Sequence, residues 1–292
     1  MTQVRQVTEA PVAATPAAGW RLGLIGDPVD HSLSPAMQNA GLSALGIGGT
    51  YERWQTAAAD LAGRIDALRD SGVLGANVTV PHKQAVMASL DATTPLAARV
   101  GAVNTVVKRD GDLIGDNTDV FGFATALAGA TGDLAGQTAV ILGAGGASRA
   151  VVIGLEQLGL GRIVIANRNV ERARDLIEEL GAHGASAIGL AKTDLVDSLA
   201  AAAVVVNATA LGWHSGETPI PLDFLGALPD DAHLTDLTYR DTALLIAARE
   251  RGLSTSDGLE MLILQGARSL QRWTGLEPPV AVMREAALAA RG

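Results

Sequence analysis

The sequence predicts an α/β protein of two domains, an N-terminal α/β domain followed by a doubly wound parallel sheet. Three observations carry this reading. Strand-like and helix-like segments alternate from Arg21 almost to the end of the chain. Thr138–Leu142 (TAVIL) is the kind of apolar strand that a sheet covered on both faces requires, and it runs directly into a glycine-rich turn. A chain of 292 residues is long for one ordinary domain and suits two of moderate size.

Taken in order, Arg21–Gly26 (RLGLIG) reads as a strand ended by the turn at Gly26-Asp27-Pro28. Ser34–Leu45 reads as a helix, with Ser34 as N-cap and Pro35 at the first helical position. Thr50–Gln55 is strand-like, and Ala58–Arg69 is helical with Leu61, Ile65 and Leu68 on one face. Val73–Val80 is strand-like, and Pro81 then opens a helix that sets Lys83 in its first turn. Ala102–Lys108 and Leu113–Asn117, joined by Arg109-Asp110-Gly111-Asp112, form a β-hairpin. Asp119 leads into a helix over Val120–Ala128, and the Ala/Gly-rich Ala128–Gly136 is a connector.

Beyond Thr138–Leu142 comes GAGGASRA (Gly143–Ala150), which opens a helix reaching about Leu158. Arg162–Ala166 is the next strand and Val170–Leu180 the next helix; Ala203–Ala208 and His233–Leu237 are later strands, and Thr242–Arg251 is helical. Such a succession builds a parallel sheet through crossover connections. Leu259–Trp273 and Pro279–Ala290 are helical and pack back on the first domain. The expected division is therefore residues 1–18 as a loose Ala/Pro/Thr-rich tail, 19–121 with 259–292 as the first domain, and 122–258 as the second.

Composition narrows the chemistry. A net charge of −9 and a pI of about 5 disfavour nucleic acid and anionic membrane as partners, since both require basic surface. An acidic chain still binds small anions through local cations or helix N-termini. With no cysteine, disulfides, thiolate catalysis and zinc–sulfur sites are excluded. No apolar run reaches membrane-spanning length, and the N-terminus lacks a signal-peptide core, so the expectation is a soluble cytoplasmic protein. No set of His, Asp and Glu has the spacing of metal ligands, and no metal is expected. A homodimer is compatible with the sequence, although no stripe in it marks an interface.

Gly143-Ala144-Gly145-Gly146 lies between a buried strand and a helix. There glycines permit a tight turn and let backbone N–H groups approach a pyrophosphate, whose charge the helix N-terminus favours. The bland alternative is a plain strand-to-helix turn, and the flanking strand, helix and second strand speak against it. An NAD site offers an acid at the end of that second strand for the ribose 2′-hydroxyl. Here the segment reads IANRNVERA, with Asn167, Arg168 and Arg172 where the acid would stand. An amide and two guanidinium groups suit a 2′-phosphate, so NADP is the expected cofactor. The competing reading is two solvated helix arginines paired with Glu171 or Glu178.

Four polar clusters fall at element ends of the first domain: Ser32 and Ser34 (HSLSP), Asn77 and Thr79 ahead of Lys83 (NVTVPHK), Asn104 (AVNT), and Asp116 with Asp119 (GDNTD). Singly, each reads as a cap or turn residue. Jointly, hydroxyls, amides, one lysine and one aspartate describe a site for a polyhydroxylated, anionic small molecule. His82 and His31 are assigned structural positions, His82 because neighbours in sequence point to different sides of a strand or helix.

With these residues in hand, the chain resembles the shikimate dehydrogenases. The resemblance covers roughly Leu22 to Gly275 and is carried by GDPVDHSLSP, NVTVPHK, GAVNTV, GDNTDVFG, GAGGASRA, ANR, NATALG, DLTY and GLEMLILQGARSLQRWTG in that order. It implies a substrate domain plus a dinucleotide-binding (Rossmann) domain, and hydride exchange between NADP and shikimate. Ser32 and Ser34 would hold the substrate carboxylate, with Tyr239 nearby. Asn77, Thr79, Asn104, Asp119 and Gln265 would bond ring hydroxyls or position Lys83. Lys83 and Asp119 would be the catalytic pair. Gly143, Ala144, Gly145, Gly146 and Ala147 would form the phosphate loop; Asn167, Arg168 and Arg172 the 2′-phosphate pocket; Thr209, Gly258 and Met261 further cofactor contacts.

The chain departs from the family pattern at three places. Gln38 stands where the family has histidine, Asn169 where it has threonine, and the gap from Tyr239 to Thr242 (YRDT) is shortened by about two residues and lacks a proline. As an ammonium, Lys83 would polarise the ketone and supply a proton in reduction; as an amine it would accept one in oxidation. Competing readings are a quinate or aminoshikimate dehydrogenase of the same family and a non-catalytic protein that senses NADP and a shikimate-like acid. A structural scaffold would need no such polar set.

Overall fold

The structure is a computed structural model describing residues 5–6, 19–214 and 216–292. The tail expected at 1–18 lies outside the described residues, apart from Arg5 and Gln6, which form a short strand. The chain divides into two compact units, Met1–Gly122 with Leu262–Gly292, and Phe123–Met261.

The first unit holds β1 (Arg5–Gln6), β2 (Trp20–Gly26), α1 (Ser34–Ala44), β3 (Gly49–Gln55), α2 (Leu61–Asp66), β4 (Val73–Val78), β5 (Ala92–Thr93), α3 (Pro95–Val100), β6 (Thr105–Arg109) and β7 (Asp112–Asp116). Its seven-stranded sheet runs β1-β5-β7-β6-β4-β2-β3. Only β6 lies antiparallel to its neighbours, β4 and β7. The β6–β7 hairpin turns at Asp110 and Gly111, both at positive φ (51° and 92°), the conformation that two-residue hairpin turns require and that an Asp-Gly pair supplies. Along β2, Gly23 lies under the Trp54 ring, where a Cβ would come within 2.3 Å of the indole. Ile25, Ile65, Leu68, Val78, Val86, Val106 and Leu113 belong to one apolar core of this unit.

Several elements differ from the sequence reading, each for a local reason. Helix α1 begins at Ser34 itself, and Leu33 takes the cap position; the Ser34 N–H is answered by the Ser32 hydroxyl at 3.2 Å. The stretch 58–69 is a short α-helix with a 3₁₀ turn at each end. Strand β4 stops at Val78, and no α-helix opens at Pro81. Lys83 instead sits in a turn ahead of a 3₁₀ helix at Ala85–Ser89, and its carbonyl is taken by Val103 N–H at 2.7 Å. That bond ties the Lys83 segment across the fold to Val103 and not into a helical ladder.

The second unit is reached through α4 (Asp119–Thr131), so the expected connector at Ala128–Gly136 is helical in its first part. There follow β8 (Thr138–Leu142), α5 (Gly146–Gln157), β9 (Arg162–Ala166), α6 (Val170–Leu180), β10 (Ala185–Ile188), α7 (Lys192–Ala200), β11 (Val204–Asn207), β12 (His233–Asp236), α8 (Ala243–Glu250) and β13 (Ser254–Ser256). All six strands are parallel, in the order β10-β9-β8-β11-β12-β13. The order reverses between β8 and β11, which opens a crevice at the carboxyl ends of those two strands. Val140, Val164, Val205 and Leu234 are fully buried, as a sheet covered on both faces demands. The chain closes with α9 (Leu259–Thr274) and α10 (Val280–Arg291). Among the described residues no helix is long and apolar enough to cross a membrane.

His233 opens β12, buried, with Nδ1 2.9 Å from Ser254 Oγ and Nε2 2.8 Å from Ser256 Oγ on β13. Burial lowers its pKa below the ordinary histidine value. The unfolded chain therefore binds the proton more readily than the folded one. This group's contribution to stability is present above the ordinary value and is lost as pH falls through that value towards the folded one. We expect thermal unfolding between about pH 7 and about pH 5 to show a loss of stability that His233→Gln reduces; an unchanged pH dependence in that variant would contradict the assignment.

Candidate active site

The Asp119 carboxylate lies at the start of α4, just beyond β7. The cap of that helix is Asn117, whose Oδ1 accepts from the N–H groups of Asp119 (3.1 Å) and Val120 (3.4 Å). Asp119 is thereby relieved of the capping role that its position would give it. Its two oxygens face the protein interior: Lys83 Nζ donates to Oδ2 at 2.8 Å and Asn104 Nδ2 to Oδ1 at 2.8 Å. The Lys83 side chain keeps 20% of its surface exposed and that of Asp119 9%, so the ion pair is open on the lysine side.

The orientation of the Asn104 amide follows from fixed partners. Thr118 N–H can only donate, and it meets Asn104 Oδ1 at 2.8 Å; the amide NH₂ must therefore face Asp119. The same Nδ2 lies 3.2 Å from Gln265 Oε1 on α9 and 2.9 Å from Thr118 Oγ1. Gln265 Nε2 donates to Leu262 O at 2.7 Å, and Oε1 keeps one lone pair beyond the bond from Asn104. Around this core lies a group of hydroxyls that the sequence reading left out. Ser269 Oγ donates to Gln265 O (3.0 Å) and lies 2.8 Å from Thr105 Oγ1 and 3.1 Å from Thr118 Oγ1.

Asn77 is part of the same network. Its Nδ2 donates to Asn104 O at 3.0 Å and meets Ser269 Oγ at 3.0 Å, while its Oδ1 accepts from the Tyr51 hydroxyl at 2.8 Å. Full burial pushes the Tyr51 pKa up, which keeps that hydroxyl a donor. Ser269 has a signal in sequence, since it stands one helical turn beyond Gln265; Tyr51 has none. Ser32 and Ser34 are joined to each other at the start of α1, and Arg53 Nη2 holds Ser32 O at 2.9 Å. Thr79 bonds through its backbone to Ile25 O (2.8 Å), and its methyl covers Gly26. His82 is buried with Nε2 2.7 Å from Thr56 O, a structural position. Gln38 is buried as well, donating to Gly266 O at 2.9 Å.

In the second unit, Gly143 follows β8 with φ +104°, and a Cβ there would lie 2.8 Å from Thr209 Cγ2 beyond β11. The two sides of the crevice thus meet at a residue that must be glycine. Gly145 and Gly146 face open space, so added side chains would fill the volume in front of the α5 N-terminus. Ser148 locks this loop by donating to Gly143 O (2.9 Å) and accepting from Gly145 N–H (3.1 Å). Ala144 is buried beneath the loop, and Ala147 is the second residue of α5.

At the end of β9, Asn167 Nδ2 donates to Asn169 O at 2.7 Å, and Asn169 caps α6 by accepting from Arg172 N–H at 3.4 Å. Asn169 is thus committed to the helix end, while the Arg168 and Arg172 side chains are exposed. Thr209 donates to Asn207 Oδ1 at 2.7 Å. Tyr239 packs edge-on against Trp213, ring centroids 5.2 Å apart, and Arg240 lies 4.8 Å over the Trp213 ring. Burial raises the Tyr239 pKa, and the Arg240 charge opposes this. Gly258 is pressed on Leu237 O, which a Cβ would approach to 2.1 Å; Met261 is half-buried.

Comparison with known proteins bears directly on this arrangement. Residues 24–106 match the shikimate dehydrogenase substrate binding domain, 126–213 the shikimate/quinate 5-dehydrogenase model, and 258–288 the shikimate 5′-dehydrogenase C-terminal domain. The chain is an enzyme of the shikimate dehydrogenase family. It is 43% identical to the shikimate dehydrogenase (NADP+) of Symbiobacterium thermophilum over 99% of its own length and 98% of that protein. The crystal structure of the Thermus thermophilus shikimate 5-dehydrogenase with NADP(H) and shikimate is similar at a TM-score of 0.83 and 40% identity, covering 93% of this chain and 99% of that one. The quinate dehydrogenase of Corynebacterium glutamicum with NAD is similar at a TM-score of 0.84 and 36% identity, covering 94% and 100%.

The network around Asn104 carries a stability prediction. Asn104→Ala leaves Thr118 N–H and one oxygen of Asp119 without their side-chain partner in a buried setting, which costs about 2–3 kcal/mol. Urea unfolding of the variant measures this; a loss below about 0.5 kcal/mol would mean that the amide is not held as described.

Proposed function

We propose that this chain interconverts 3-dehydroshikimate and shikimate with NADP as the hydride carrier, a step in the making of aromatic amino acids. The observation that carries the reading is the Asp119 carboxylate shared between Lys83 Nζ and Asn104 Nδ2, each at 2.8 Å, in a chain of this family. A lysine held by a carboxylate beside amides and hydroxyls suits proton transfer to and from a ring oxygen.

The residues of the second unit fit the cofactor. The space in front of Gly145 and Gly146, the N–H groups at the head of α5 and the exposed Arg168 and Arg172 would receive the pyrophosphate and the 2′-phosphate. Thr209, Gly258 and Met261 would line the remainder. Bound NADP supplies the hydride acceptor or donor. The chain's own part is to hold the acid and handle the proton. Ser32 and Ser34 would bind the carboxylate through their hydroxyls. Gln265 Oε1 would accept from a ring hydroxyl, and Thr79 would offer another contact; Asn77 keeps Asn104 in place.

In oxidation the hydroxyl proton at the reacting carbon passes to Lys83 Nζ in its neutral amine form. In reduction the Lys83 ammonium returns a proton to the carbonyl oxygen. Asp119 keeps the lysine in position and balances the charge of its ammonium form.

The decisive assay is reduction of NADP+ with shikimate, repeated with quinate and with NAD+. We expect the highest kcat/KM for shikimate with NADP+. We expect Lys83→Met to lower kcat by about 10²- to 10⁴-fold, with KM for NADP+ changed by less than about twofold. Near wild-type turnover in that variant would remove Lys83 from the proton step. A preference for quinate with NAD+ would move the enzyme to the quinate branch of the family.

A further inference from the structure

Asp236 is a buried acid for which the proton chemistry above has no use. It ends β12 with no exposed surface. Its four hydrogen bonds come from neutral groups. Thr238 donates to Oδ1 twice, through N–H at 3.0 Å and Oγ1 at 2.9 Å. Asn207 Nδ2 and Thr242 Oγ1 donate to Oδ2, both at 2.9 Å. A carboxylate offers about four lone-pair directions, and here all of them are taken.

Each donor belongs to a different piece of the crevice rim. Asn207 ends β11. Its amide is oriented by fixed partners, since Thr209 N–H meets Oδ1 at 3.1 Å and Nδ2 reaches Leu211 O at 3.2 Å. The Thr209 hydroxyl donates to the same Oδ1 at 2.7 Å while accepting from Leu211 N–H at 3.1 Å. Thr238 O accepts from Gly258 N–H at 2.9 Å. Thr242 caps α8, accepting from Leu245 N–H at 3.2 Å with the hydroxyl whose single proton goes to Asp236.

We propose that Asp236 is the positioning residue of the cofactor rim: one acceptor-only side chain anchors the Asn207 amide, which holds Thr209 and the loop to Leu211, while Thr238 ties in Gly258. An asparagine cannot replace it. An NH₂ on the Oδ1 side would face Thr238 N–H, and on the Oδ2 side it would face Asn207 NH₂, donor against donor in either case.

This inference rests on the reading that the second unit binds NADP. The experiment is calorimetric titration of the full-length protein with NADP+, with KM for NADP+ and for shikimate measured in parallel and unfolding curves recorded for each variant. Asp236→Asn is expected to weaken NADP+ binding by about tenfold, the size of a lost hydrogen bond to a charged group, with KM for shikimate little changed. Thr238→Val, which removes one hydroxyl and keeps the N–H, is expected to weaken binding by about threefold and covers the case in which Asp236→Asn does not fold. Wild-type affinity in Asp236→Asn, or in Thr238→Val when Asp236→Asn does not fold, would overturn the proposal. A wild-type protein that does not bind NADP+ at all would instead refute the cofactor reading.

Discussion

The first unit's polar site depends on how a single carboxylate is divided. Asp119 gives one oxygen to a cation and the other to an amide, and neither partner is free to choose otherwise. Asn104 is oriented by Thr118 N–H. Lys83 is fixed at its backbone by Val103, the residue immediately before Asn104. The lysine and the amide therefore come from two segments that are themselves bonded together, and the acid comes from a third. Asn117 takes over the helix cap, which leaves Asp119 its full acceptor capacity. A buried network of this sort is valuable only when every member is satisfied, because a lone donor in a low-dielectric interior is costly. Here the hydroxyls of Thr105, Thr118 and Ser269 complete it.

The fold brings this about through β6, the one strand that runs against its neighbours. Reversal there places the start of β6 beside the end of β4 and the end of β7, with Thr105 opposite both Asn77 and Asp116. The polar ends of three inner strands are thus gathered at one end of the sheet. In the second unit the same outcome follows from a different device, a parallel sheet whose order reverses between β8 and β11. There the strand ends carry Gly143, Asn207 and Asp236, and a buried carboxylate again organises the rim.

Much of this is legible in the sequence. The apolar β8 with its glycine turn, the Asp-Gly hairpin and the cap-to-glycine span of α6 each follow from local rules that tertiary packing does not disturb. Lys83, Asn104, Asp119 and Gln265 stand out through their motifs, and they lie in one hydrogen-bonded chain. What is not legible has physical causes. The helix expected at Pro81 does not form; the Lys83 carbonyl is bonded to Val103, twenty residues away in the chain, and no local propensity reports such a bond. Strands β10 and β13 are short outer strands, and the polar Ser-Thr-Ser of β13 lacks the apolar signature of an inner strand. Ser269 and Tyr51 belong to the network only because α9 and β3 reach it in space.

The central claim is that Lys83 and Asp119 work as one unit. A double-mutant cycle on kcat/KM for shikimate, using Lys83→Ala, Asp119→Ala and the pair, tests it most directly. The account predicts strong non-additivity, with the double variant little worse than the weaker of the two singles and a coupling of about 2 kcal/mol or more. Losses that simply add would contradict it, for they would mean that the lysine and the acid act independently.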